Sequence, residues 1–175
     1  MQYPDWCFEM DVLAYYIMVS DEEVDDMMEM DDEELVEYVD ELESERKDVF
    51  CLDMLWDGLH FLITGKSIED IDDDDNIMSM AIAGVHTFDT DDEIFVGCTE
   101  NGELEDVIKA MESVDIDALC NKADLSKFRK NDIYPDIWSD NNRNALMKDL
   151  KKGFDRLLEF YRSALKKGLN IIVDI

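Results

Sequence analysis

Leu52, Leu55, Trp56, Leu59 and Ile63 recur at the three-and-four spacing of an α-helix, while Asp53 and Asp57 fall off that stripe. The spacing predicts a buried helix over 52–65, and Phe61 and Leu62 widen its apolar surface beyond one face, as in a central core helix. Gly65 follows the last periodic position and suits a left-handed C-cap, with Lys66 near the negative end of the helix dipole. His60 stands one turn after Trp56 and one turn before Thr64 on this helix.

The same reading extends along the chain. Residues 1–9 carry no clear period and read as an N-terminal extension. Val12 to Val19 is a continuous apolar, aromatic and β-branched run of strand length, which suits a strand buried on both faces. Ser20 with Glu23 forms a capping box for a helix over 21–28. A second helix starts after Asp31 or Asp32 with the stripe Leu35, Val36, Val39 and Leu42. Residues 68–76 concentrate carboxylates in a surface loop, but lack the glycine that an EF-hand turn requires. Residues 77–83 read as a short helix ended by Gly84, and 93–98 as a strand. Thr99 is placed to cap the next helix, whose stripe is Leu104, Val107, Ile108 and Met111. Asp115 caps a turn through Leu119, and 124–130 reads as another single turn.

Pro135 excludes a helix through Ile133 to Trp138, so that segment should cross the body in an extended form. The longest helix runs over 141–167, its face marked by Leu146, Leu150, Phe154, Leu157, Leu158, Tyr161 and Leu165, and closes at Gly168. Leu169 to Val173 makes a last strand, expected to pair with 12–19. The pattern predicts one α+β domain over 10–175: helix-rich and mixed, with a small sheet that includes the N-terminal and C-terminal strands.

Composition supports a folded chain, since 46% of the 175 residues are hydrophobic despite 35% charged. Charge changes the picture more. The formal net charge is −30, which repels nucleic acid and anionic membrane surfaces. It is unevenly spread: residues 121–175 hold 12 Lys plus Arg against 8 Asp plus Glu, so the excess of acid lies entirely in residues 1–120. An acidic surface of this kind serves solubility, or life in a salty cytoplasm, or the binding of a basic protein. Four scattered cysteines without C-x-x-C spacing and without a secretion signal point to a reduced, cytoplasmic chain.

Three motifs, in order and at their spacing, carry a resemblance. They are W-x-x-L-H-F-L-x-T-G at Trp56 to Gly65, I-Y-P-x-I-W at Ile133 to Trp138, and L-x-x-F-Y-x-x-A-x-x-x-G at Leu157 to Gly168. From about Met10 to the C-terminus the chain resembles the YfbM-like family of small bacterial α+β proteins, a domain of unknown function. The resemblance implies a single mixed domain and brings no reaction, cofactor or catalytic residue. The nine-residue extension and the density of acids depart from the family.

Catalytic signatures are absent from the sequence. There is no G-x-S-x-G, no phosphate-cradling glycine loop and no H-E-x-x-H, so no cofactor or metal is assigned. His60 either titrates near neutrality as a base or ligand, or is a core histidine bonded to backbone or tyrosine. His86, the other histidine, is expected on a loop after Gly84. Trp56, His60, Thr64, Tyr134, Trp138 and Tyr161 form the candidate pocket, although aromatic residues at such positions also fill cores. Two functions follow: a non-catalytic cytosolic interaction protein that binds a basic partner through its acidic surface, or a small-molecule-binding protein or small enzyme built around His60, Trp56 and Tyr134.

Overall fold

A computed structural model describes residues 12–70, 76–88, 90 and 95–175. The N-terminal extension at 1–9, the centre of the acidic run at 71–75 and the first two positions of the strand expected at 93–98 lie outside the described residues. Among those described, five strands are β1 (Ala14–Val19), β2 (Val49–Asp53), β3 (His86–Thr87), β4 (Val96–Thr99) and β5 (Asn170–Asp174). Eight α-helices accompany them: α1 (Asp21–Met28), α2 (Asp32–Glu45), α3 (Trp56–Thr64), α4 (Ile77–Ala83), α5 (Asn101–Glu112), α6 (Ile116–Lys122), α7 (Leu125–Lys130) and α8 (Arg143–Lys167).

The strands form one antiparallel sheet in the order β2-β1-β5-β4-β3. The N-terminal and C-terminal strands are neighbours, with Ile17 opposite Ile172, as the apolar runs predict. Alternate residues leave the two faces of the sheet for two cores. Tyr16, Met18, Phe50, Leu52, Ile171 and Val173 enter a large core with residues of α3 to α8. Ile17, Val19, Val96, Cys98 and Ile172 enter a smaller one with α1 and α2. β1 and β5 are therefore covered on both faces, which explains why both sequences are almost continuously apolar.

Local signals set most element ends. Ser20 and Asp31 each accept from the N–H three residues on, while Glu23 and Glu34 reach back to the cap N–H. Gly65 and Gly168 take the left-handed conformation at φ 77° and 69° and close α3 and α8. Three expectations are corrected. Glu100 rather than Thr99 caps α5, with Glu103 completing the box. His86 lies in β3 rather than on a loop.

The third correction concerns the helix expected from Leu52, because Val49 to Asp53 is a strand and α3 begins only at Trp56. Asp53 has φ +64°, and its carboxylate accepts from the Met54 N–H at 2.9 Å, which breaks the extended backbone and turns it into the helix. Leu52 at the end of the strand and Trp56 and Leu59 on the helix enter the same core. Their spacing imitates one helical stripe across two elements.

The basic C-terminal third does meet the acidic remainder. Lys167 pairs with Asp48 at 2.9 Å, Arg162 with Glu112 at 2.7 Å, and Lys151 with Asp117. All six side chains are largely exposed, so solvent screens the pairs and each adds little to stability. No helix among the described residues is long and apolar enough to cross a membrane.

Candidate functional site

α3 is buried on nearly every side, yet carries an aspartate in its first turn and a histidine one turn later. Asp57 is only 3% exposed and is held by three donors. Its Oδ1 accepts from the Ile68 N–H at 2.8 Å and the Ser67 hydroxyl at 3.1 Å, and its Oδ2 accepts from the Tyr134 N–H at 3.0 Å. A carboxylate at a helix N-terminus also faces the positive end of the dipole. Asp57 thus ties α3 to the turn after it and to the segment Ile133 to Trp138, where the Tyr134–Pro135 peptide is cis.

His60 is completely buried. Its Nδ1 lies 2.8 Å from the Lys66 carbonyl, an acceptor only, so Nδ1 carries the proton and donates it. Nε2 is then the acceptor for the Ser79 hydroxyl at 2.9 Å. Ser79 is itself 6% exposed, on α4. Burial, the largest influence, lowers the imidazole pKa below its ordinary value, and the hydrogen bond to Lys66 and the charge of Asp57 oppose it. Thr64 donates to the His60 carbonyl at 2.7 Å and accepts from the Lys66 N–H at 3.2 Å, closing the turn around the ring.

The six candidate pocket residues fall into separate groups. Trp56 stacks on Tyr134 with ring centroids 5.5 Å apart. Both are bound to Val12: the indole N–H donates to its carbonyl at 3.0 Å, and the Tyr134 hydroxyl accepts from its N–H at 2.8 Å. Trp138 lies on the other side of α3, over Gly58 and 4.6 Å from the Phe128 ring, with its indole N–H on the Ile133 carbonyl at 2.7 Å. Tyr161 stands further away on α8, its hydroxyl donating to the Ala81 carbonyl at 3.1 Å, beside Tyr16, which donates to Ile82 at 2.8 Å. Burial raises both phenols well above their ordinary pKa. His60 and Thr64 face α4 and the turn after α3. Of the six, Trp138 also lines an open groove of about 630 Å³ with Arg129, Asp136, Ile137 and Asp140.

Thiol chemistry is disfavoured where the cysteines are described. Burial pushes the Cys98 thiol up to about 12 and raises Cys51 and Cys120, so all three are protonated at neutral pH. His86 is exposed and meets Glu103 at 2.7 Å. Among the described residues no three of His, Cys, Asp and Glu converge to hold a metal.

The architecture that places these groups is shared. Residues 10–173 match the sequence profile of a family described as Domain of unknown function (DUF1877). The chain belongs to this family. It is similar to Protein YfbM of Escherichia coli (strain K12), with 28% identity over 169 residues, 94% of this chain and 99% of YfbM. It is also similar to the crystal structure of a protein of unknown function, YfbM from Escherichia coli, with a TM-score of 0.80 and 25% identity over 93% of this chain and 99% of that one. The three-motif resemblance is thus a family relationship, and the helix-rich α+β fold is common to both chains.

In this DUF1877 chain the motif residues join one element to another. Helix α3 and the Pro135 segment lie together because Asp57 binds Tyr134, Trp56 stacks on it, and Gly58 leaves room for Trp138. A Cβ on Gly58 would lie 2.1 Å from that indole. Reading the sequence missed Asp57, Ser67 and Ser79. The one available signal was an aspartate inside an otherwise apolar helix, which burial permits only when donors surround it.

Proposed function

We propose that the protein is a non-catalytic cytoplasmic interaction protein that holds a basic protein against the outer surface of α1 and α2. The observation that carries this reading is the charge of that layer. Residues 21–45 contain 15 Asp or Glu and no Lys or Arg, and the apolar side chains Val24, Met27, Leu35, Val39 and Leu42 turn inward to the sheet. Most of the carboxylates are left to the solvent face, Glu43 being turned towards the sheet. Arg46, the first cation after the layer, is already bound to Glu23 and the Met18 carbonyl. A surface of one sign steers an oppositely charged protein and selects against nucleic acid.

The test is capture of a basic protein by wild-type chain and by a variant with Asp25, Asp26, Glu29, Glu33 and Glu37 changed to their amides. A stoichiometric partner that binds wild type at low salt, is released at high salt and is not held by the variant supports the reading. Absence of any basic partner at low salt, or equal binding by the variant, removes it.

The Ser79–His60 contact favours a second reading, a small-molecule site or small enzyme around His60, Trp56 and Tyr134. A hydroxyl donating to a neutral imidazole is the arrangement that a nucleophilic serine needs. His60→Asn decides it: loss of ligand binding or turnover with an unchanged melting temperature supports a site, whereas lost stability alone supports a structural crosslink.

A further inference from the structure

On the α2 side of the sheet the pairing registers place Cys51, Tyr15 and Asp174 in one row across β2, β1 and β5. The row continues the face on which Ile17, Val19 and Ile172 are buried, so these polar side chains lie at the end of the smaller core. Glu43 comes down onto them from α2. Its Oε1 is shut off from solvent and accepts from no donor. Two ionised carboxylates cannot bond to each other, but Glu43 and Asp174 are hydrogen-bonded partners as soon as one of them is protonated.

The groups facing the pair are Asp40 from α2, Tyr15 from β1 and Cys51 from β2; Tyr15 and Cys51 bond to each other, Asp53 acts on those two, and Cys51 Sγ accepts from the Asp53 N–H at 3.3 Å. None of these is a cation.

We propose that Glu43 and Asp174 hold one proton between them and form a pH-sensitive latch that closes α2 onto the C-terminal strand. The orphaned buried oxygen, set beside a second carboxylate, demands a donor, and a shared proton supplies it. Burial first, then the bond to Asp174, pushes Glu43 up to about 8. Burial also raises Asp174, while the bond from Glu43 opposes that rise, which places the proton on Glu43, donated to the Asp174 carboxylate.

A carboxyl whose folded pKa lies above its ordinary value binds a proton that the unfolded chain has released. Stability is then fully present below the ordinary carboxyl range and is lost as pH rises towards about 8. The unfolding equilibrium shifts by up to about tenfold per pH unit in that window.

The experiment compares denaturant unfolding of wild type, Glu43→Gln and Asp174→Asn across this window, with carbon-detected NMR titration of the Glu43 carboxyl in wild type. The amide introduced by Glu43→Gln supplies a permanent donor to Asp174. We expect the profile of that variant to lose the dependence, so that wild type weakens relative to it by about tenfold or more between about pH 6 and about pH 8. Above that range, hydrogen-exchange protection in wild type should fall in α2 before α8. Parallel profiles for wild type and Glu43→Gln, equal loss of protection in both helices, or a Glu43 midpoint in the ordinary carboxyl range overturns the latch. The wild-type titration decides the matter even if a variant does not fold.

Discussion

Asp57 accepts the Tyr134 backbone N–H at 3.0 Å across 77 residues of sequence, and the same carboxylate holds the Ser67 hydroxyl and the Ile68 N–H. One buried charge therefore fixes the start of α3, the turn that follows it and the strap before Pro135. We predict that Asp57→Ala, which leaves these donors buried without an acceptor, costs about 3–5 kcal/mol in urea unfolding. Asp57→Asn, which keeps one acceptor oxygen, should cost less. A loss below about 1 kcal/mol for the alanine variant contradicts this account.

Gly58 and Trp138 form the second tight contact of that region. Gly58→Ala is predicted to destabilise by about 1–3 kcal/mol, because the added methyl overlaps the indole. Replacing Trp138 by Leu in the same chain removes the overlapping ring, so the double variant should lose less than the sum of the single ones. Additive losses in a double-mutant cycle would place the cost of the alanine elsewhere.

His60 gives a pH dependence of opposite sign to that of Glu43. Its folded pKa is lowered, chiefly by burial, so the unfolded chain takes up a proton first and stability present above the ordinary histidine value is lost as pH falls through the folded one. Wild type should therefore weaken in mild acid relative to His60→Asn, whose amide can still donate to Lys66. Melting temperatures followed from neutrality down to about pH 5 test this, and identical profiles exclude it.

The exposed pairs between the C-terminal third and the remainder should matter little. Lys167→Met or Asp48→Asn is predicted to change stability by about 0–1 kcal/mol. Salt should nevertheless raise the melting temperature, since screening relieves the self-repulsion of a chain of charge −30 more than it weakens a few exposed pairs. A melting temperature that falls as salt rises would mean that the pairs dominate.

Much of the fold was legible because its signals are local. The capping boxes at Ser20 and Asp31 act over three residues, the caps at Gly65 and Gly168 depend on one backbone conformation each, and β1 and β5 advertise burial on two faces by unbroken apolar runs. β2 was not legible because Leu52, Trp56 and Leu59 belong to one core, and a strand end followed by a helix produced the spacing of a helix alone. The candidate pocket was legible only as a set of unusual residues. Trp56 meets Tyr134, but Trp138 lies across α3 and Tyr161 beside Tyr16, an arrangement that no spacing encodes.

The sequence by itself determined the class of fold, the pairing of the terminal strands, most helix ends and the net charge of the chain, because each follows from period, cap chemistry or charge count along the chain. Only the tertiary structure decided which polar groups are sealed inside and with whom. Asp57 with Tyr134, His60 with Ser79 and Glu43 with Asp174 are far apart in sequence, and a buried polar side chain takes its protonation and its role from the donors and acceptors that folding brings against it.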